Sequence, residues 1–148
     1  MDLKLRDGIT ETLCREALHV EISLPQRYVR KVEVSARTGR FSVRHLEYDN
    51  LEFGGKTEEI VLSEIKGNTE LDVNSDVSVK VDDFSGELSL NQIGAVSVMH
   101  VSSRKPIATR TRGIRTRILC EHPERISPDA PDLIELNGIK SELTLVFD

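Results

Sequence analysis

The residues best equipped for chemistry in this sequence form a basic run. Arg104, Lys105, Arg110, Arg112, Arg115 and Arg117 place six positive charges between Ser102 and Cys120 with no acid among them. Guanidinium groups fork around carboxylates and phosphates, and several converging on one point would hold a phosphate, an acidic polysaccharide or an anionic membrane surface. Arg110 and Arg112 alternate, as do Arg115 and Arg117, so in a strand each pair projects from one face. That makes Arg110, Arg112, Arg115 and Arg117 the candidate anion or partner patch. The opposing reading is internal neutralisation, because Glu121, Glu124, Asp129, Asp132 and Glu135 follow directly and are near enough to fold back. It is the reading adopted: the run is expected to be a structural face that binds nothing on its own. No aromatic residue interleaves these arginines, which weighs against stacking of single-stranded nucleic acid.

Catalytic patterns are scarcer. Asp82 and Asp83 are adjacent, but Asp82-Asp83-Phe84-Ser85-Gly86 reads as a strand end and turn. His19, His45, His100 and His122 form neither H-x-H nor H-E-x-x-H, the spacings that put two imidazoles on one metal. Ser97 and His100 share an arm without an acid partner or an oxyanion hole. Asn74-Ser75-Asp76 lacks the glycines of a calcium-binding β-roll repeat. Cys14 and Cys120 are far apart in the chain and make no C-x-x-C pair; two reduced thiols are expected, with a disulfide joining the ends as the alternative. These residues define no active site, so no enzyme, cofactor or metal is expected.

The elements that must position these residues follow a recurring pattern of apolar residues. An apolar-x-apolar arm, a turn and an apolar-x-apolar-x-x-apolar arm occur four times: Val32/Val34 with Phe41/Val43/Leu46, Leu51/Phe53 with Ile60/Leu62/Ile65, Leu71/Val73 with Val79/Val81/Phe84, and Leu88/Leu90 with Val96/Val98/Val101. Alternation within each arm is the signature of a strand with one buried face. Gly, Asn and Asp fill the gaps, as turning a corner requires. A step near nineteen residues points to units that bury their apolar side by stacking on a neighbour. The expected fold is all-β, a single-stranded β-helix (β-roll) of about four to six short coils with capping segments at both ends. An antiparallel β-sandwich is the alternative. Stacked in register, Glu33, Glu52 and Asp72 would lie one above another at roughly 4.8 Å, where like charges repel by roughly 0.9 kcal/mol even in water. Such an acidic ladder is a candidate site for a cation or a basic partner; a solvated face screened by salt is the plainer expectation.

The run Ile22-Ser23-Leu24-Pro25, then Val32-Glu33-Val34, Thr38-Gly39-Arg40-Phe41-Ser42-Val43 and Leu46, resembles the bacterial DUF4097 family, a set of proteins carrying an adhesin label. The stretch from Ile134 through Leu143 is similar to segments that end such chains. The resemblance implies a single-stranded β-helix and no established activity, and it brings no catalytic residues with it.

One domain is expected over residues 1–148: a cap at 1–19, regular coils at 20–101, and at 102–148 a less regular coil, a loop carrying Pro123, Pro128 and Pro131, and a closing strand. Aromatic residues are 4% of the chain and Trp is absent, so the core must be aliphatic. A net charge of −5 weighs against general nucleic-acid binding. The longest apolar runs fall far short of the ~20 residues of a membrane helix. Met1-Asp2-Leu3-Lys4-Leu5-Arg6-Asp7 has no apolar signal region, so the chain as written is expected in the cytoplasm, and at the cell surface only if an export segment was removed. The expected function is a non-catalytic binding or scaffold module of the adhesin type, with a protein or a polysaccharide as partner. A self-assembling filament protein is the first alternative and a small carbohydrate-active enzyme the second.

Overall fold

The computed structural model describes residues 23–24 and 29–148; the expected cap over 1–19, and with it Cys14, lies outside the described residues. Among the described residues there are ten strands: β1 Lys31–Arg37, β2 Arg40–Lys56, β3 Glu59–Val73, β4 Ser78–Ser85, β5 Glu87–Ile93, β6 Val96–Val101, β7 Ala108–Ile114, β8 Arg117–Cys120, β9 Leu133–Ile139 and β10 Glu142–Phe147. The class is all-β, as the alternation requires. Every ladder between these strands is parallel, so an antiparallel sandwich is not what forms.

Parallel pairing follows from spacing. Val32 lies beside Leu51, Phe41 beside Ile60, Ile60 beside Val79 and Thr69 beside Leu88, each partner nineteen residues on. Apolar residues thereby meet apolar residues, and one face of each strand turns inward. The hydrogen-bonded path runs β7-β9-β5-β3-β4-β6-β10-β8, with β2 and β1 continuing from β3. It forms two walls that meet at corners. The first holds β1, β5, β9, β7 and the second halves of β2 and β3; the other holds β4, β6, β10, β8 and the first halves of β2 and β3.

Four inward columns make the core, one of them formed by Val32, Leu51, Thr69, Leu88 and Ile134. Phe53, Leu71, Leu90 and Leu136 line the first wall. Phe41, Ile60, Val79, Met99 and Leu145 line the second, beside Val43, Leu62, Val81, Val101 and Phe147. Each fully buried side chain of this kind contributes about 1.5–3 kcal/mol. The Phe41 and Phe53 rings stack across the interior with centroids 4.4 Å apart. At the corners His45, Glu64 and Asp83 adopt left-handed conformations with φ of 51°, 51° and 49°, one per layer at matching positions. Layers also approach closely at glycine. A Cβ on Gly113, whose φ is +108°, would lie 1.8 Å from the Gly138 carbonyl oxygen.

Two expected arms lie elsewhere. In the third copy, Phe53 pairs with Leu71 rather than with Val73, so its first arm is Thr69/Leu71, two residues earlier. In the fourth copy the parity reverses. Ser97, Met99 and Val101 point inward, while Val96 is 57% exposed; Val98 lies beside Ser78 on the outer side and does not join the Val43 column. Both slips share one cause, a buried hydroxyl where the pattern demanded an apolar residue. The Tyr48 hydroxyl bonds Thr69 Oγ1. Ser97 Oγ accepts from Gln92 Nε2 at 2.7 Å and from the Val77 N–H at 3.1 Å. Hydrogen bonding removes the penalty that would otherwise exclude these groups from the interior.

The last strands break chain order. β9–β10 does not extend the stack beyond β7–β8. It lies between β5–β6 and β7–β8, pairing with both. Ile139 is 46% exposed at the corner, stacked between Ile93 and Ile114. The stack ends at β7–β8, where Thr111 continues the Leu136 column and is exposed. Among the described residues no strand pairs with the outer edges of β7 and β8.

Candidate functional site

Parallel, in-register stacking converts single residues into columns, and the outer face of the first wall carries two. One runs Glu33, Glu52, Glu70, Ser89, Glu135, Arg110. Its neighbour runs Ser35, Gly54, Asp72, Asn91, Asn137, Arg112. Both begin with small or acidic residues, include uncharged polar ones and end on arginine, with Glu135 beside Arg110 in the first column. The face is therefore graded along the stack: carboxylates gather at the early layers and guanidiniums at β7.

The acidic ladder is displaced from the expected one. Glu33 and Glu52 are neighbours, but the third member is Glu70; Asp72 belongs to the second column. This is the two-residue slip caused by Thr69. Two of the adjacent carboxylate pairs, Glu33 with Glu52 and Glu70 with Asp72, hold a donor. Lys31 Nζ lies 3.2 Å from Glu33 and 3.8 Å from Glu52, and its hydrogen bond to Glu33 raises the ammonium pKa, with the Glu33 and Glu52 charges adding to it. Asn91 Nδ2 donates to Glu70 at 2.7 Å and to Asp72 at 2.5 Å. Asn137 Nδ2 donates to Asn91 Oδ1 at 3.0 Å, which extends the chain toward the arginines.

The basic run is divided among two walls and their corners. Arg110 Nε bonds Glu135, and its Nη2 reaches Glu87 at 3.1 Å. Arg112 Nε lies 3.3 Å from the same Glu135, whose side chain is only 5% exposed. Two guanidiniums on one carboxylate offset the desolvation a buried ion otherwise suffers. Arg117 sits on the second wall, 2.6 Å from Glu142. Arg115 occupies the corner between them with φ of 52°, so it does not share a strand face with Arg117. Lys105 lies 3.7 Å from Asp83 at another corner. Of the five downstream acids expected to fold back, Glu135 does so. Asp132 instead accepts from the Gly86 N–H at 3.0 Å, and Glu124 pairs with His122. Glu87 and Glu142 are partners that sequence order concealed, because β9–β10 had to be inserted to bring Glu142 there.

The remaining candidates separate. Ser97 points inward and His100 outward on the same strand, so they cannot act together. Asp83 is drawn to Lys105 and away from Asp82. His45 pairs with Glu64 at 2.9 Å and His100 lies 3.8 Å from Asp148, both near the surface; His19 is outside the described residues. Cys120 faces inward on β8, half-buried in line with Met99 and Leu145. A shallow depression of 520 Å³ opens where Pro128 and Pro131 meet Glu87 and Arg110. No helix among the described residues is long and apolar enough to cross a membrane. Comparisons with family models, with curated proteins and with solved structures returned no match to this chain.

Proposed function

We propose that this chain is a non-catalytic binding or scaffold module built on a single-stranded β-helix, the architecture implied by its resemblance to the DUF4097 adhesin type. The observation that carries the proposal is the register: partners nineteen residues apart in parallel ladders line up side chains on a rigid outer wall. Such a wall recognises a partner by matching spaced groups across a surface, without needing a cleft. The partner class favoured is a cationic protein segment meeting the Glu33, Glu52, Glu70 and Asp72 end. Net charge of −5 supports that choice, and the arginines at the other end already have internal carboxylates on three of the four side chains.

Binding of polylysine and of heparin, each at low and physiological salt, tests this. Polylysine should bind in a salt-sensitive manner, and Glu52→Gln/Glu70→Gln should lose that binding. Heparin should not be retained. Heparin binding that Arg112→Ser/Arg115→Ser abolishes would move the site to the basic end, and no binding of polylysine would remove the acidic columns from the function. A second reading, end-to-end assembly into filaments, is favoured by one observation: the unpaired outer edges of β7 and β8 among the described residues, since open edges invite further strands.

A further inference from the structure

The corner that leads from the first wall to the second changes character along the stack. Its ridge begins with Arg37 and Lys56, side by side in neighbouring layers, and continues through the Asn74-Ser75-Asp76 turn. In the last three layers the ridge is Ile93, Ile139 and Ile114, stacked in register. These side chains are 60%, 46% and 66% exposed. Val96, just past the same corner, is exposed as well, so four of the six exposed large apolar side chains among the described residues gather here. Scattered singly, such residues need no explanation; drawn into one stripe they mark a surface that meets something apolar.

Cations flank the stripe. Lys140 follows Ile139 and Arg115 follows Ile114, both exposed at the turn in left-handed conformations with φ of 51° and 52°. Neither makes an ion pair with a described residue. Arg112 and Arg117 have Glu135 and Glu142 as partners but stay largely exposed. The exposed acids beside the ridge, Glu58 and Asp76, belong to the early layers, and Asp76 accepts from the Val96 N–H at 2.8 Å. The turns are also bonded from layer to layer. The Gly94 N–H donates to the Ile139 carbonyl at 2.9 Å and the Lys140 N–H to the Ile114 carbonyl at 2.8 Å. Ser141 Oγ donates to the Gln92 carbonyl at 3.1 Å, and Thr116 Oγ1 to the Gly138 carbonyl at 2.7 Å. These carbonyls already have donors, so the isoleucines can enter an apolar medium without stranding them.

We propose that this ridge docks the protein on an anionic lipid bilayer. Ile93, Ile139 and Ile114 enter the boundary between headgroups and acyl chains, and Lys140, Arg115, Arg112 and Arg117 meet the lipid phosphates beside them. Shape and charge choose this occupant. A convex ridge fits a deformable planar interface, not a ligand that must be enclosed. Charge disfavours a second copy, because a two-fold contact between ridges would set Lys140 and Arg115 against the same row of cations. A sulfated polysaccharide supplies anions but no apolar phase, and so answers only half of the surface. Apolar burial together with attraction to anionic lipid is what sets binding at a membrane surface, and long basic side chains reach the phosphates while their stems lie along the apolar boundary. The site is distinct from the acidic columns and independent of a cationic partner there.

Flotation of the full-length protein with phosphatidylcholine vesicles, with and without phosphatidylserine, tests this at low and physiological salt. The protein should float with the phosphatidylserine vesicles, less so as salt rises, and stay behind with phosphatidylcholine alone. Arg115→Ser/Lys140→Ser should weaken binding about fivefold for each charge removed. Ile114→Ser/Ile139→Ser leaves every charge in place and should weaken it about tenfold or more; both positions are exposed, so the fold should survive. The chain has no Trp, so Ile139→Trp supplies a second readout: its emission should shift to the blue with phosphatidylserine vesicles. Absence of flotation, equal flotation by Ile114→Ser/Ile139→Ser and wild type, or Ile139→Trp emission that the vesicles leave unchanged would each overturn the proposal. A wild-type dimer in sedimentation that Ile114→Ser/Ile139→Ser turns into a monomer would overturn it too, giving the ridge to a second copy.

Discussion

Exchanging the properties of two adjacent residues on β6 separates inside from outside. Ser97 is 1% exposed and receives hydrogen bonds from Gln92 Nε2 and the Val77 N–H. Ser97→Val removes that acceptor and puts a larger, wholly apolar side chain in its place. Gln92 Nε2 retains the Ser75 carbonyl at 3.2 Å, so the Val77 N–H bears the larger loss. An unsatisfied buried group costs about 1–3 kcal/mol, and with the weakened Gln92 contact the total should be about 2–4 kcal/mol. Val98→Ser changes a half-exposed outer position and should stay within about 1 kcal/mol. Urea denaturation with unchanged m-values measures both. The apolar alternation of Val96, Val98 and Val101 predicts the reverse order, Val98→Ser costly and Ser97→Val harmless or stabilising. Finding that order would mean β6 is turned over and the polar corner does not exist.

Two further expectations follow from burial. Leu62→Asp places a carboxylate in a fully buried column between Val43 and Val81 and should cost upwards of about 4 kcal/mol. Lys80→Asp, on the outer face 2.6 Å from Glu59, should cost no more than about 1 kcal/mol, and equal losses in denaturation would contradict the register. Burial raises the Tyr48 phenol pKa, with the Thr69 hydrogen bond opposing it. The unfolded chain then ionises first, so stability should fall as pH rises past the ordinary tyrosine pKa of ~10 toward the higher folded value. Tyr48→Phe should flatten that alkaline decline in pH-dependent melting; an unchanged decline would assign it to other groups.

What was legible in the sequence was the inward face of the early layers. Phe41, Val43, Ile60, Leu62, Val79 and Val81 lie in the columns that their alternation specifies, because aliphatic burial dominates there and nothing polar intrudes. Legibility failed where a hydrogen bond replaced an apolar contact. Thr69 and Ser97 are inward, and no alternation of apolar residues can reveal a hydroxyl whose partner, Tyr48 or Gln92, lies across a corner. The Thr69 slip alone puts Glu70 in the acidic ladder where Asp72 was expected. Layer order failed for a different reason. Ile134 pairs with Leu88 across forty-six residues, and local spacing holds no record of such a partner.

The contacts of Leu145 test the layered architecture most directly. In the parallel order its strand lies between Met99 of β6 and Cys120 of β8. Interstrand amide-to-α nuclear Overhauser effects on the isotopically labelled chain should therefore join β10 to both neighbours, and none should join β6 to β8. Direct effects between the Met99 and Cys120 segments, with β10 touching only one of them, would contradict the insertion and with it the register of the outer face.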